Sequence, residues 1–231
     1  MERTGTGARG HVGIVTIGQS PRPDIAAVLA THLDATPLVQ AGALDDLAPD
    51  AIRALAPVAG DAPLISRLRD GTEVVVGKRA LMPCLTRAVA AVSPGARVVA
   101  VLCSGSFPDL APTTCPTILP EQALHTHLAG RLGGTGRLGV LAPLTAQADT
   151  APRKWRDVAG RVDATDASPY GPDDAVVDAA RRLAATEPDV VLLDCMGFVE
   201  RHRQLVADIV DAPVVTPSSV LGETLAGAVA R

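Results

Sequence analysis

Apolar residues in this chain come in short, dense runs. HVGIVTI (11–17), EVVVG (73–77), RVVAVLC (97–103), RLGVLAPL (137–144) and DVVLLDC (189–195) are nearly continuous and rich in Val, Leu and Ile. That is the pattern of strands covered on both faces. Between and after them, apolar positions recur at helical spacing over 24–33, 81–92, 121–132, 173–185, 199–210 and 219–230. A short strand is predicted at 214–216, just after Pro213, and weaker ones at 36–42 and 162–168. Alternation of strand and helix predicts an α/β fold with mainly parallel sheets.

The runs also resemble one another. HVGIVTIGQSPRPD parallels RLGVLAPLTAQADT, each placing an aliphatic-Gly-aliphatic strand before a polar turn. VVAVLCSGSF parallels VVLLDCMGFV, and that pairing aligns Cys103 with Cys195. The two halves differ in length, so a duplication requires an insertion in the first, for which the segment around 73–79 is the candidate. No Pro/Ser linker divides the chain.

Composition narrows the classes of function. The 231 residues are 47% hydrophobic but only 2% aromatic, so the core is built from small aliphatics and few rings remain for stacking on bases. A net charge of −4 without a Lys/Arg block argues against nucleic acid as a partner. The first residues, MERTGTGARGHVG, lack the apolar core of about 7–15 residues that marks a secretory signal, and no apolar run approaches a membrane span. The expectation is a cytosolic protein with no membrane contact. Its four cysteines, Cys84, Cys103, Cys115 and Cys195, form no C-x-x-C, so free thiols are expected rather than disulfides or a zinc site.

Cys103 and Cys195 carry the chemistry. In an open α/β sheet, ligands collect beyond the carboxyl ends of the strands, where both fall. If helices start directly after them, the macrodipole and free N–H groups would pull a thiol below its reference pKa of about 8.5. The followers, Ser104, Gly105, Ser106 on one side and Met196, Gly197 on the other, let backbone N–H groups approach a ligand. Core packing is the competing reading, since free cysteine is often a small buried hydrophobe. Asp194 would raise the Cys195 thiol if its carboxylate shared the cleft, although strand alternation points it the other way.

VTIGQSPRPDI, GKRALMP, LLDCMGFVERHR and DAPVVTPSSVL resemble the AroM family over essentially the whole chain, and Asp-Cys-Met-Gly-Phe is the most specific block. More distantly, the strand-end cysteines with small followers resemble the aspartate/glutamate/hydantoin racemase superfamily. That resemblance implies two pseudo-symmetric flavodoxin-like lobes and proton transfer by a cysteine pair without a cofactor. The lobes are expected at 11–110 plus 213–231 and at 111–212, with a cleft between them; a homodimer and a small carboxylate-bearing ligand are further expectations. The sequence departs from the racemase pattern where Cys103 is followed by Ser104-Gly105 instead of Asn-Thr, and Cys195 by Met196 instead of Thr.

In such a layout the loop after the first strand holds the substrate carboxylate. This makes Gln19, Ser20 and Arg22 candidates, Ser20 as donor and Arg22 as counter-ion, although Ser/Arg before Pro is also a helix-start signal. Thr145 is the symmetric counterpart, with an N-cap as its alternative. Lys78 and Arg79 could serve an acidic substrate, and Ser218, with Ser219, caps the last helix or touches ligand. His125, His127 and His202 are expected at the surface. The G-x-G-x-x-G matches at 5–10 and 134–139 precede their strands, the wrong context for a dinucleotide. The leading expectation is a racemase or isomerase with Cys103 and Cys195 as acid/base pair. A lyase or cis–trans isomerase using one cysteine, and a non-catalytic carboxylate binder or regulator, are the alternatives.

Overall fold

A computed structural model describes residues 10–230. Its strands form two four-stranded parallel sheets and one antiparallel hairpin. In the first sheet, β1 (His11–Thr16) lies between β2 (Leu38–Gly42) and β5 (Ala96–Leu102), and β6 (Thr117–Ile118) joins beyond β5. In the second, β7 (Arg137–Ala142) lies between β8 (Arg161–Asp166) and β9 (Val190–Leu193), and β10 (Val214–Val215) joins beyond β9. The two orders superpose strand for strand, so the duplication read from the hydrophobic runs is present in the topology. The central strands also share a glycine. A Cβ on Gly13 of β1 would lie 2.8 Å from Val92 Cγ2, and one on Gly139 of β7 would lie 3.3 Å from Val191 Cγ2.

Helices cover both faces of both sheets. On one side of the first sheet is α3 (Lys78–Val92), which buries Leu81, Leu85, Val89 and Val92. On its other side α1 (Pro23–Ala30) and α9 (Pro217–Val229) pack around Ile14, Val98 and Ala100. The second sheet is covered by α7 (Asp173–Ala184) and α8 (Glu200–Ala207) on one face. On the other lie α4 (Pro120–Leu132) and the short α6 (Ala151–Lys154), packed around the fully buried Trp155. Proline in the first turn starts α1, α4 and α9 where its missing N–H is not needed, and Gly133, left-handed at φ 56°, closes α4.

The insertion is real but larger than its sequence trace. Residues 43–77 separate β2 from α3, whereas only 167–172 separate the equivalent β8 from α7. The extra chain holds α2 (Pro49–Arg53) and the hairpin of β3 (Pro63–Arg67) with β4 (Glu73–Gly77). The run 73–77, expected in the parallel sheet, is therefore an antiparallel arm. Its partner is local, because Asp70-Gly71, with Gly71 at φ 93°, turns the chain straight back. Ile65 of the arm packs in the core of the second lobe, and Ser168 donates to Glu73.

Two boundary strands are exchanged relative to expectation. The expected boundaries place 117–118 in the second lobe and 214–215 in the first. Pairing puts β6 in the first sheet and β10 in the second, because each strand adds to the open edge beside β5 or β9 before the chain crosses over. Then α9 returns to pack on α1, α4 and β5. Among the described residues no helix is long and apolar enough to cross a membrane.

Candidate active site

The carboxyl ends of β5 and β9 meet the hairpin arm around a cavity of about 380 Å³. Cys103 and Cys195 both line it, and the backbone holds them the same way. Each cysteine N–H donates to the carbonyl two residues back, Val101 at 2.9 Å and Leu193 at 2.8 Å. Each sulfur accepts an N–H from two residues on, Gly105 and Gly197, both at 3.4 Å. Ser104 and Met196, between cysteine and glycine, donate their N–H to no group among the described residues. All four cysteines are free thiols.

Neither thiol sits at a helix N-terminus, which corrects the expected depression of pKa. No helix follows Cys103 until α4, and α8 begins only at Glu200, five residues after Cys195. Burial instead pushes Cys103 up to about 11 and Cys195 up to about 12, and the glycine N–H groups lower them only in part. Lys154 and Lys78 pull Cys103 down and Asp194 pushes it up; Cys103 and Asp194 push Cys195 up against Arg22.

Asp194 does not point away as strand alternation suggested, since β9 ends at Leu193 and the chain is already turning. Its carboxylate lines the cavity and accepts from Lys154 Nζ at 2.8 and 3.0 Å and from Trp155 Nε1 at 3.0 Å. Lys154 also donates to the Ser104 carbonyl at 2.9 Å, and Ser104 Oγ donates to the Asp194 carbonyl at 3.0 Å. The two cysteine loops are thereby tied across the lobes.

Opposite this pair lies Arg22, 3% exposed and the residue before α1. Its Nε and Nη2 grip Asp24 at 3.0 and 2.8 Å, Arg67 reaches the same carboxylate at 3.5 Å, and Nη1 makes no hydrogen bond among the described residues. Burial opposes the Arg22 charge, but Asp24, Tyr170 and Cys195 together more than offset it, so the guanidinium is held above its ordinary value. Burial likewise opposes the Asp24 charge, and Arg22, with Arg67 and the Ile25 N–H, outweighs it to keep that carboxyl low. Tyr170, which lines the same wall beneath Arg67, is raised well above an ordinary phenol by burial and then by Cys195. A Cβ on Gly197 would lie 2.6 Å from its hydroxyl, so only glycine admits the ring there.

Of the residues singled out from sequence, Cys103, Cys195, Arg22, Ser104, Gly105, Met196 and Gly197 line this cavity. The others do not. Ser20 gives its N–H and hydroxyl to Asp45 at 2.7 and 2.6 Å, and Gln19 bonds Leu44 and Arg69. Lys78 Nζ sits 5.6 Å over the Phe107 ring, outside the lining but close enough to act on Cys103. Arg79 is exposed beside Asp61, Ser106 is exposed, and Ser218 is buried in α9 with its hydroxyl on Thr216. Thr145 opens α5 (Thr145–Ala148) and bonds Asp166; it is not the N-cap. Thr216, not Ser218 or Ser219, caps α9. His202 is buried at 2%, its Nδ1 accepting the Val199 N–H, and His125 stacks on Trp155 at 4.6 Å. The 134–139 glycine match falls in the turn into β7 and the strand itself, and 5–9 lie outside the described residues.

Ser66, Gln147, Lys154 and Tyr170 were missed. One signal for them existed: the chain has a single Trp and a single Tyr, and Trp155 backs the site while Tyr170 lines it. Among the described residues no cluster of three His, Cys, Asp or Glu forms a metal-ligand set.

A sequence model described as AroM protein matches residues 12–228. No curated protein matches the chain. Among solved structures, a liganded mutant of arylmalonate decarboxylase aligns with TM-score 0.61 at 15% identity, covering 96% of this chain and 92% of the other. A glutamate racemase from Bacillus anthracis gives 0.62 at 11%, covering 94% and 80%. An allantoin racemase from Pseudomonas fluorescens gives 0.55 at 14%, covering 96% and 91%. At these identities the likeness is one of fold, the two-lobed α/β architecture of the aspartate/glutamate racemase superfamily.

Proposed function

The chain belongs to the AroM family, and we propose that it is a racemase or isomerase moving a proton at the activated carbon of a small acid, with Cys103 and Cys195 as its acid/base pair. The observation that carries this reading is the identical seating of two thiols, one from each lobe, on one cavity. The reactive form holds one thiolate and one thiol. The thiolate takes the α-proton, the carbanion is held as an enolate by nearby donors, and the other thiol returns a proton to the carbon. The unused N–H groups of Ser104 and Met196 and the Arg22 guanidinium are the donors available for that charge. No electron transfer or added group is required.

The test is exchange of the substrate's α-hydrogen with solvent deuterium across a panel of small chiral acids. Cys103→Ala and Cys195→Ala should each abolish racemisation, and full racemisation by either variant would refute the two-thiol reading.

A second reading is favoured by the high pKa of both thiols. A neutral thiol is a ready acid but a scarce base, which suits a lyase in which the carbanion arises by loss of carbon dioxide and one thiol protonates it. Carbon dioxide release, surviving in one of the two cysteine variants, would select it.

A further inference from the structure

The charges around the cavity are unevenly spent, and this bears on what enters it. At one end Arg22 and Arg67 face Asp24, leaving a surplus positive charge behind the wall that carries Ser66 and Tyr170. Among the described residues Ser66 Oγ, Tyr170 Oη and Arg22 Nη1 form no hydrogen bond, yet no fully buried side-chain nitrogen or oxygen among them lacks a partner. Ser66 and Arg22 are 2% and 3% exposed, so what these atoms still meet is the space of the cavity. Three free donors lining one cavity, with a net positive charge among Arg22, Arg67 and Asp24, are a seat for one carboxylate.

At the other end the charge is closed. Asp194 is the one carboxylate among the described residues lining the cavity. Lys154 and Trp155 occupy both of its oxygens, and Lys154 spends its protons on Asp194 and Ser104. An α-ammonium group would find no free counter-charge, and a second carboxylate no free cation. Apart from Ser104, Gln147 and Thr150, the remaining wall is mostly apolar, with Leu64, Ile65, Leu102 and Met196 on it.

Resting on the reading that this cavity is the reaction site, we propose that its substrate is a monocarboxylic acid with an apolar substituent and no α-ammonium group. The carboxylate lies between Arg22, Ser66 and Tyr170, and the substituent lies under the hairpin arm against Leu64 and Ile65. Amino acids such as glutamate are excluded by this arrangement.

The experiment is calorimetric titration of the intact protein with 2-phenylpropionate, 2-phenylpropionamide and glutamate, with the fluorescence of Trp155 as a second readout. The acid should bind about tenfold or more tightly than its amide, the scale of a hydrogen bond to a charged group, and more tightly than glutamate. Arg22→Lys should weaken the acid more than the amide, so that the preference for the acid narrows. Should that variant misfold, Tyr170→Phe and Ser66→Ala, which leave the Arg22–Asp24 pair intact, should each weaken the acid several-fold. Equal binding of acid and amide, stronger binding of glutamate, or no binding of the acid would overturn the proposal. Cys103→Ser and Cys195→Ser separate ligand class from chemistry. If the binding order holds in them and in the wild type while no acid exchanges its α-hydrogen, the ligand class stands and the proton-transfer reading falls.

Discussion

Raising the pH should bring Cys103 and Cys195 into reaction with an alkylating reagent late, and the delay can be worked out. Against the ordinary thiol value of 9.0, Cys103 is pushed to about 11 and Cys195 to about 12. At pH 8 the thiolate populations are then about 100-fold and about 1,000-fold below that of a free thiol. A more basic thiolate is the better nucleophile, with a Brønsted slope of about 0.4–0.5, which restores about eightfold and about twentyfold. What remains is alkylation slower than that of free cysteine by about tenfold for Cys103 and about fiftyfold for Cys195, before any hindrance from the cavity walls. Iodoacetamide labelling from pH 7 to the edge of stability, read for each cysteine by peptide mass spectrometry, measures this. Hindrance scales the rate equally at every pH and leaves the midpoint in place, so the midpoint is the decisive quantity. A midpoint below 9 for either thiol would show that the N–H groups of Gly105 and Gly197, with Lys154 and Arg22, outweigh burial.

Two further outcomes follow. For proton transfer by a thiolate/thiol pair, kcat/KM should climb about tenfold per pH unit from pH 7 toward the Cys103 value near 11, because the folded enzyme must lose one proton to work; a rate that is flat over this range and falls above it would instead assign a neutral thiol as acid. Lys154→Met leaves Asp194, 7% exposed, with only Trp155 as partner, at a cost of about 3–5 kcal/mol. Because Lys154 itself is 24% exposed, about 3 kcal/mol is expected, or a melting temperature lower by about 6–12 °C. The Lys154→Met/Asp194→Asn double variant should recover most of it, and a shift under about 3 °C in the single variant would show the pair to be unimportant.

Most of the frame was legible because it is local. Five apolar runs became strands, six helical stretches became helices, and the aligned cysteines took equivalent places, since each signal lies within one strand or one helical face. What was lost depended on partners far along the chain. The run 73–77 is as apolar as a buried strand, and only the Asp70-Gly71 turn beside it marks an antiparallel arm. The exchange of β6 and β10 between lobes leaves no local trace, because two-residue strands have no periodicity.

The site was half legible for a related reason. The cysteines and their followers announce themselves by position, but their state is decided by burial, and no helix starts directly after either to draw the thiol down. Ser20 looked like a ligand donor until Asp45, 25 positions away, claimed its N–H and hydroxyl. Lys154 lies in a four-residue helix and Tyr170 in a turn, neither with a hydrophobic period of its own, so nothing local in the sequence places them beside the cysteine loops. The insertion turns this into function. β5 and β9 present their thiols alike, yet the hairpin of 63–77 exists in one lobe only. It brings Arg67 and Ser66 to the side where Arg22 and Tyr170 face Cys195, while Lys154 and Lys78 act on Cys103. Two thiols that hold equivalent places in the two sheets are therefore unequal in charge environment. A substrate seated by its carboxylate at Arg22 would meet a potential base from one lobe and a protonated thiol from the other.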